Sequence, residues 1–168
     1  MWKARLSHQH GDRKSPCGLH ALCGKRVWGT HVCLRKLDPG LVWDLFETEG
    51  VTHDNGAPTV QILLVNHHKA HRLDRQITVV VAGAPPSPTL LGRMKELNLR
   101  PIHVYGLTET YGPYTLCEWH WEWDDLPHED QARLLARQGQ SNVTAGLVRV
   151  VDQAMHDVPR DGQPPGRS

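Results

Sequence analysis

The stretch ITVVVA, Ile77–Ala82, followed at once by GAPPSP, 83–88, decides how the 168-residue chain is read. Six residues dominated by β-branched side chains predict a strand, and the continuous apolar run is the pattern of one buried on both faces of a parallel sheet. Ser87-Pro88 then offers a capping hydroxyl and a proline at the first helical position, and Leu90, Leu91, Met94 and Leu97 fall on one helical stripe. Pro101–Tyr105 reads as the next strand. The same grammar holds upstream. Thr30–Arg35 reads as a strand, Asp38-Pro39 starts a helix whose stripe is Leu41, Val42, Leu45 and Phe46, Val51–Asp54 is a short strand and Pro58–His67 a second helix. Strands alternating with helices predict an α/β fold: a partial doubly wound, mainly parallel sheet with flanking helices.

Past Tyr105 the texture changes. Thr108–Asp125 is rich in Trp and Tyr without a clear period, and Trp119, Trp121 and Trp123 alternate with His120 and Glu122, which suits a segment packing one face on the core. Pro127–Gln138 predicts an amphipathic helix, with Asp125 as its cap and Gly139 in the left-handed position after it; Val148–Asp152 begins another strand. Residues 29–157 thus form the domain. Residues 1–28 are polar, basic and aperiodic and are expected to be poorly ordered, and 158–168, rich in Pro and Gly, to form a disordered tail.

Composition excludes several functions. Nineteen Lys and Arg against 18 Asp and Glu leave a net charge of +1, too little for a nucleic-acid partner. No stretch reaches the roughly 18 apolar residues of a membrane span. The first 18 residues lack the apolar core of a signal peptide, so a cytoplasmic setting with four free cysteines is expected.

In an open parallel sheet, ligands bind beyond the carboxyl ends of the strands. Two loops there have a suitable composition. In the first, Gly83 permits close approach to the backbone, and the helix that follows offers unpaired N–H groups to an anion. The second, Tyr105-Gly106-Leu107-Thr108-Glu109-Thr110, sets an aromatic face, a bare backbone, a hydroxyl and a carboxylate side by side. An aromatic ring stacks on a base, a hydroxyl bonds a phosphate oxygen, and a carboxylate holds Mg²⁺.

VAGAPPSP followed by HVYGLTETYGP resembles the adenylate-forming superfamily of AMP-binding acyl-CoA synthetases, from about Gly29 to Gly162. WHWEWDDLPHEDQARLLARQG is similar to the branch that joins carboxylic acids to CoA. The resemblance implies that Gly83, Ala84 and Pro85 line the adenine, that Tyr105 stacks on it with His103 near its amino edge, and that Gly106 lets the nucleotide lie against the backbone. It further implies that Thr108 contacts the α-phosphate, that Glu109 holds Mg²⁺, and that Asn55, Gly56, Ala57, Pro58 and Thr59 form part of the acyl pocket. The substrates would be a carboxylic acid, ATP and CoA. A Ser/Thr/Gly-rich phosphate loop ending in Pro-Lys-Gly, a ribose-binding Thr-Gly-Asp segment and a carboxyl-terminal catalytic lysine find no match in these residues. The expectation is therefore an internal fragment from a truncated or damaged reading frame, without appreciable ligase activity by itself.

Two alternatives stand beside this. One is a non-catalytic nucleotide-binding or interaction module. The other is a small zinc protein using Cys17, His20 and Cys23 with His31 and Cys33, although that spacing matches no common finger. His67, His68 and His71 crowd a helix end, where imidazoles meet terminal carbonyls.

Overall fold

The computed structural model describes residues 5–8, 30–84, 86–110, 112–143 and 145–159, with the backbone alone at 5–8, 31 and 128. In chain order the elements are β1 (Arg5–His8), β2 (His31–Leu34), α1 (Pro39–Thr48), β3 (His53–Gly56), α2 (Pro58–Val65), β4 (Ile77–Ala82), α3 (Pro88–Glu96) and β5 (Leu99–Leu107). Then come β6 (Gly112–Cys117), a 3₁₀ turn (Trp121–Trp123), α4 (His128–Leu135) and β7 (Gln140–Ser141). Among the described residues the strands form one seven-stranded sheet of order β2-β1-β3-β4-β5-β6-β7. The pairs from β2 to β5 are parallel, and β6 and β7 add antiparallel. The fold is α/β, with a mixed, mostly parallel sheet and flanking helices.

Two helix starts lie where the sequence places them. Asp38 accepts the Leu41 amide at 3.1 Å and Ser87 the Leu90 amide at 3.2 Å, each followed by a proline whose missing N–H costs nothing at the first helical position. Steps from β3 to β4 to β5 all run the same way across the sheet, so right-handed crossovers put the helices on one side. The packing agrees: Ile77, Val79, Val81 and Leu99 share one core with Val42, Trp43 and Phe46 of α1, Leu64 and Val65 of α2, and Leu90 and Met94 of α3. Each fully buried aliphatic contributes about 1.5–3 kcal/mol over its exposed state. Thr78, Val80 and Ala82, on the other face of β4, remain partly exposed, so the strand is buried on one face and not on both as its apolar run suggests.

Several local expectations shift. Trp43, absent from the predicted stripe, is buried, donates its indole N–H to the Leu64 carbonyl at 3.0 Å and meets Phe46 edge-on. Strand β3 starts two residues later than Val51. Strand β1 lies in the stretch read as aperiodic, because four residues with one aliphatic side chain carry no period; its pairing with β2 is non-local. Strand β6 was hidden among the aromatics. Pro127, in an extended conformation, takes the cap position of α4 in place of Asp125, and Gly139, at φ +73°, leads into β7 instead of closing the helix. Of the stretch 148–152, Val151 alone makes a bridge, to Asp157.

Helix α4 is held to the sheet and to α3 by polar contacts. Buried Gln131 donates to the carbonyls of Trp123 (2.7 Å) and Asp124 (3.1 Å) and accepts from Lys95. The Lys95 ammonium also sits 4.0 Å above the Trp119 ring. Its burial lowers its pKa, against the pull of Asp124. Cys117 is a buried free thiol; burial raises its pKa, which keeps it protonated and unreactive.

Past α2, His71 faces acceptors at both ring nitrogens: the Lys69 carbonyl at 2.8 Å from Nδ1 and the Glu47 carboxylate at 3.2 Å from Nε2. Only the imidazolium donates to both, and its pKa is raised by the Lys69 carbonyl first and by Glu47 next, against partial burial. A raised folded pKa stabilises below the unfolded value of about 6.5 and loses that contribution as pH rises through the folded value. Thermal melts of wild type and His71→Gln should therefore differ most below pH 6.5, and the gap should shrink as pH rises through the raised folded value. A gap that does not change with pH contradicts the ion-pair assignment.

The β5–β6 hairpin depends on Gly106. A Cβ there would lie 2.8 Å from the Gly112 carbonyl carbon and 2.9 Å from the Pro113 Cα, and would collide with the Gly112 oxygen. Gly106→Ala should cost about 1–3 kcal/mol and lower the melting temperature by several degrees. An unchanged melt would show that the two strands do not approach this closely.

Candidate functional site

The parallel ladder from β2 to β5 brings the carboxyl ends of those strands to one edge of the sheet, and three sequence-predicted loops meet on that rim. Asn55 to Thr59 leave β3, Gly83 and Ala84 leave β4, and Tyr105 to Glu109 close β5. The last register pair between β4 and β5 is Ala82 with Val104, so Gly83 and Tyr105 are the next residues out on adjacent strands.

Gly83 has φ +95°, a conformation that side chains rarely adopt, and a Cβ there would meet nothing within 4 Å. The backbone is thus left open, as a closely bound ligand requires. Ala84 is exposed; Pro85 lies outside the described residues. Tyr105 presents its ring 42% exposed at the rim, enough for one face to stack. His103, two residues earlier on the same face of β5, is 2% exposed and its Nδ1 lies 2.9 Å from the Arg137 carbonyl. A carbonyl only accepts, so the proton resides on Nδ1, and the ring ties β5 to the end of α4.

Thr108 and Glu109 occupy the tip of the β5–β6 turn, and both are exposed. The turn is closed by the Thr110 amide on the Leu107 carbonyl at 3.2 Å. The Thr110 hydroxyl reinforces it, accepting from the Leu107 amide at 2.8 Å and lying 2.9 Å from the Gly112 carbonyl. Among the described residues neither Thr108 nor Glu109 spends its oxygen atoms on the fold. Thr110 was not singled out by sequence reading; a hydroxyl three residues after the turn's first carbonyl is the signal for it. Between Tyr105 and Gly106 the pairing slips, Tyr105 opposing Thr115 and Gly106 opposing Pro113, which leaves Tyr114 as an extra residue on β6. Such a bulge bends the strand and turns the hairpin tip. Gly106 is consumed by this close approach of the strands.

The β3 loop is more closed. Pro58 is buried as the first residue of α2, Asn55 is 8% exposed, and a Cβ on Gly56 would sit 3.0 Å from the Gln61 amide nitrogen; Ala57 and Thr59 are exposed. Buried Gln61 donates to Asp54 at 3.0 Å, which fixes α2 against β3. The rim therefore assembles Gly83, Ala84, Tyr105, Thr108 and Glu109 as accessible groups, whereas His103, Gly106, Asn55 and Gly56 are built into the fold.

Among the described residues the rim offers a hard cation the Glu109 carboxylate. That suits Mg²⁺, which takes one or two carboxylates together with phosphate oxygens and water. Cys17, His20 and Cys23 lie outside the described residues, as does the His31 side chain. Among the described residues no three His, Cys, Asp or Glu side chains gather as metal ligands, and no helix is long and apolar enough to cross a membrane.

The chain is similar to 4-hydroxybutyrate–CoA ligase 2 of Metallosphaera sedula, 46% identical over 139 residues that make up 82% of this chain and 25% of the relative. It therefore spans about a quarter of that protein's length. Its fold matches the inhibitor-bound N-terminal domain of FACL13 from Mycobacterium tuberculosis, with a TM-score of 0.74 at 19% identity over 94% of this chain and 37% of the other. It also matches O-succinylbenzoate coenzyme A synthetase of Bacillus subtilis in complex with ATP and magnesium ion, with a TM-score of 0.70 at 16% identity over 93% of this chain and 30% of the other. The AMP-binding enzyme family matches residues 17–167 and so takes in the later part of the stretch read as aperiodic together with every strand from β2 onward; the chain belongs to that family.

Proposed function

We propose that the chain is the adenine-side portion of the nucleotide site of an AMP-forming acid–thiol ligase, and that alone it binds nucleotide without turnover. The observation that carries this is the pairing of exposed Tyr105 with open, left-handed Gly83 on neighbouring strands. It supplies a stacking face beside a backbone with no side chain in the way. The likeness to a CoA ligase and to a synthetase crystallised with ATP and magnesium ion supports the same reading.

In the full reaction a carboxylate oxygen attacks the α-phosphorus of ATP, the bond to pyrophosphate breaks, and the acyl-adenylate forms. The CoA thiol then attacks the acyl carbon and AMP leaves. Tyr105 would hold the adenine, Ala84 would flank it, and the Thr108 hydroxyl would donate to an α-phosphate oxygen. Glu109 would hold Mg²⁺, which when bound neutralises charge on the phosphates. The phosphate loop, ribose-binding acid and lysine of the resembling enzymes have no match here, and transition-state stabilisation depends on such groups acting together. Positioning of adenine alone leaves the phosphorus without its charge clamp.

Calorimetric titration of the purified chain should show weak AMP binding, reduced roughly 5-fold or more by Tyr105→Ala, the loss expected for one base–aromatic stack. Pyrophosphate and AMP release with a carboxylic acid, ATP and CoA should stay at background. Binding that ignores Tyr105→Ala contradicts the placement of adenine, and turnover dependent on all three substrates contradicts the inactivity.

A further inference from the structure

At the amino ends of β4 and β5, the edge of the sheet opposite the rim, lies a cleft of about 790 Å³. Buried Leu99, Pro101 and Leu135 lie behind it, and Trp119 and Trp121 line it. Trp121 is 78% exposed, an unusual position for the largest apolar side chain. Trp119 is fixed in place: it meets Trp123 edge-on with centroids 5.7 Å apart, donates its indole N–H to Asp124 at 2.8 Å and lies under Lys95.

The charges around the cleft are unequal in what they have left to offer. Arg72, Lys95 and Arg100 line it, with Glu96 and Asp124. Glu96 is paired with Arg93 at 2.6 Å, and Asp124 accepts a hydrogen bond from the Trp119 indole N–H. Arg72 spends one N–H on the Glu96 backbone carbonyl at 3.1 Å. Among the described residues neither Arg72 nor Arg100 forms an ion pair with a carboxylate, and both are exposed. Both acids are engaged, whereas Arg72 keeps N–H groups beyond the one it donates and Arg100 has no carboxylate partner among the described residues.

We propose that this cleft binds an amphipathic organic anion, its flat apolar body against Trp119 and Trp121 and its carboxylate at Arg72 and Arg100. The volume falls within the roughly 300–1,000 Å³ of small-molecule sites, and a guanidinium fork matches carboxylate geometry. The site is separate from the nucleotide rim and does not rest on the function proposed above.

Calorimetry with 2-naphthoate as the probe, and uncharged 2-naphthamide as its control, tests this on the unmutated chain. The expected result is one saturable naphthoate site, naphthamide binding at least about 5-fold weaker, and no competition by AMP. Arg72→Gln, Arg100→Gln and Trp121→Ala, all at exposed positions, should each weaken naphthoate about 5-fold or more at an unchanged melting temperature, whereas Tyr105→Ala should leave it intact. No saturable binding, equal affinity for the amide, or loss of binding with AMP or with Tyr105→Ala would each overturn the proposal.

Discussion

The structure hangs on the burial of one face of β4. Ile77, Val79 and Val81 are wholly removed from solvent, and they share one core with residues of α1, α2 and α3. Because β3, β4 and β5 follow one another across the sheet in the same direction, that burial draws α1, α2 and α3 into a single layer. It also forces the β3, β4 and β5 strand ends onto one rim. Function is thus confined by topology before any side chain is chosen: groups at the ends of distant segments become neighbours because the strands carrying them pair.

The hairpin after β5 adds a second constraint. Its strands come together so closely that Gly106 has no room for a side chain, and the slipped pairing beside it turns the tip. Thr110 locks the turn through its hydroxyl, which leaves Thr108 and Glu109 to project from a rigid two-residue tip. Residues of the same short motif therefore divide the labour, Gly106 and Thr110 building the platform and Tyr105, Thr108 and Glu109 standing on it. A similar division runs through β5, where His103 anchors α4 and Tyr105, one pleat further, faces outward.

Much of this was legible in the sequence. The β-branched run at Ile77–Ala82 and the capped prolines at Asp38-Pro39 and Ser87-Pro88 are local signals, and local physics decides them. What the sequence concealed is non-local. The β1 strand exists because two neighbouring strands offer it hydrogen bonds, and β6 because it closes on β5; neither segment has a period of its own. Burial of Trp43 required the Leu64 carbonyl from another helix. The exposure of Thr78, Val80 and Ala82 reflects what covers the far face, which β4's own residues do not specify. At the site, Tyr105 and Gly83 were visible as types in loops, whereas the entanglement of Gly106 and His103 with the fold emerged only from their partners across the sheet.

The central claim is that adenine is received on the carboxyl rim, between the ends of β4 and β5. The most direct measurement is the amide correlation spectrum of the isotope-labelled chain during AMP titration. The account predicts saturable shifts confined to Gly83, Ala84, Tyr105, Gly106 and their immediate neighbours. Shifts centred instead on Arg100 and Trp121 at the opposite edge, or none at saturating AMP, would contradict it.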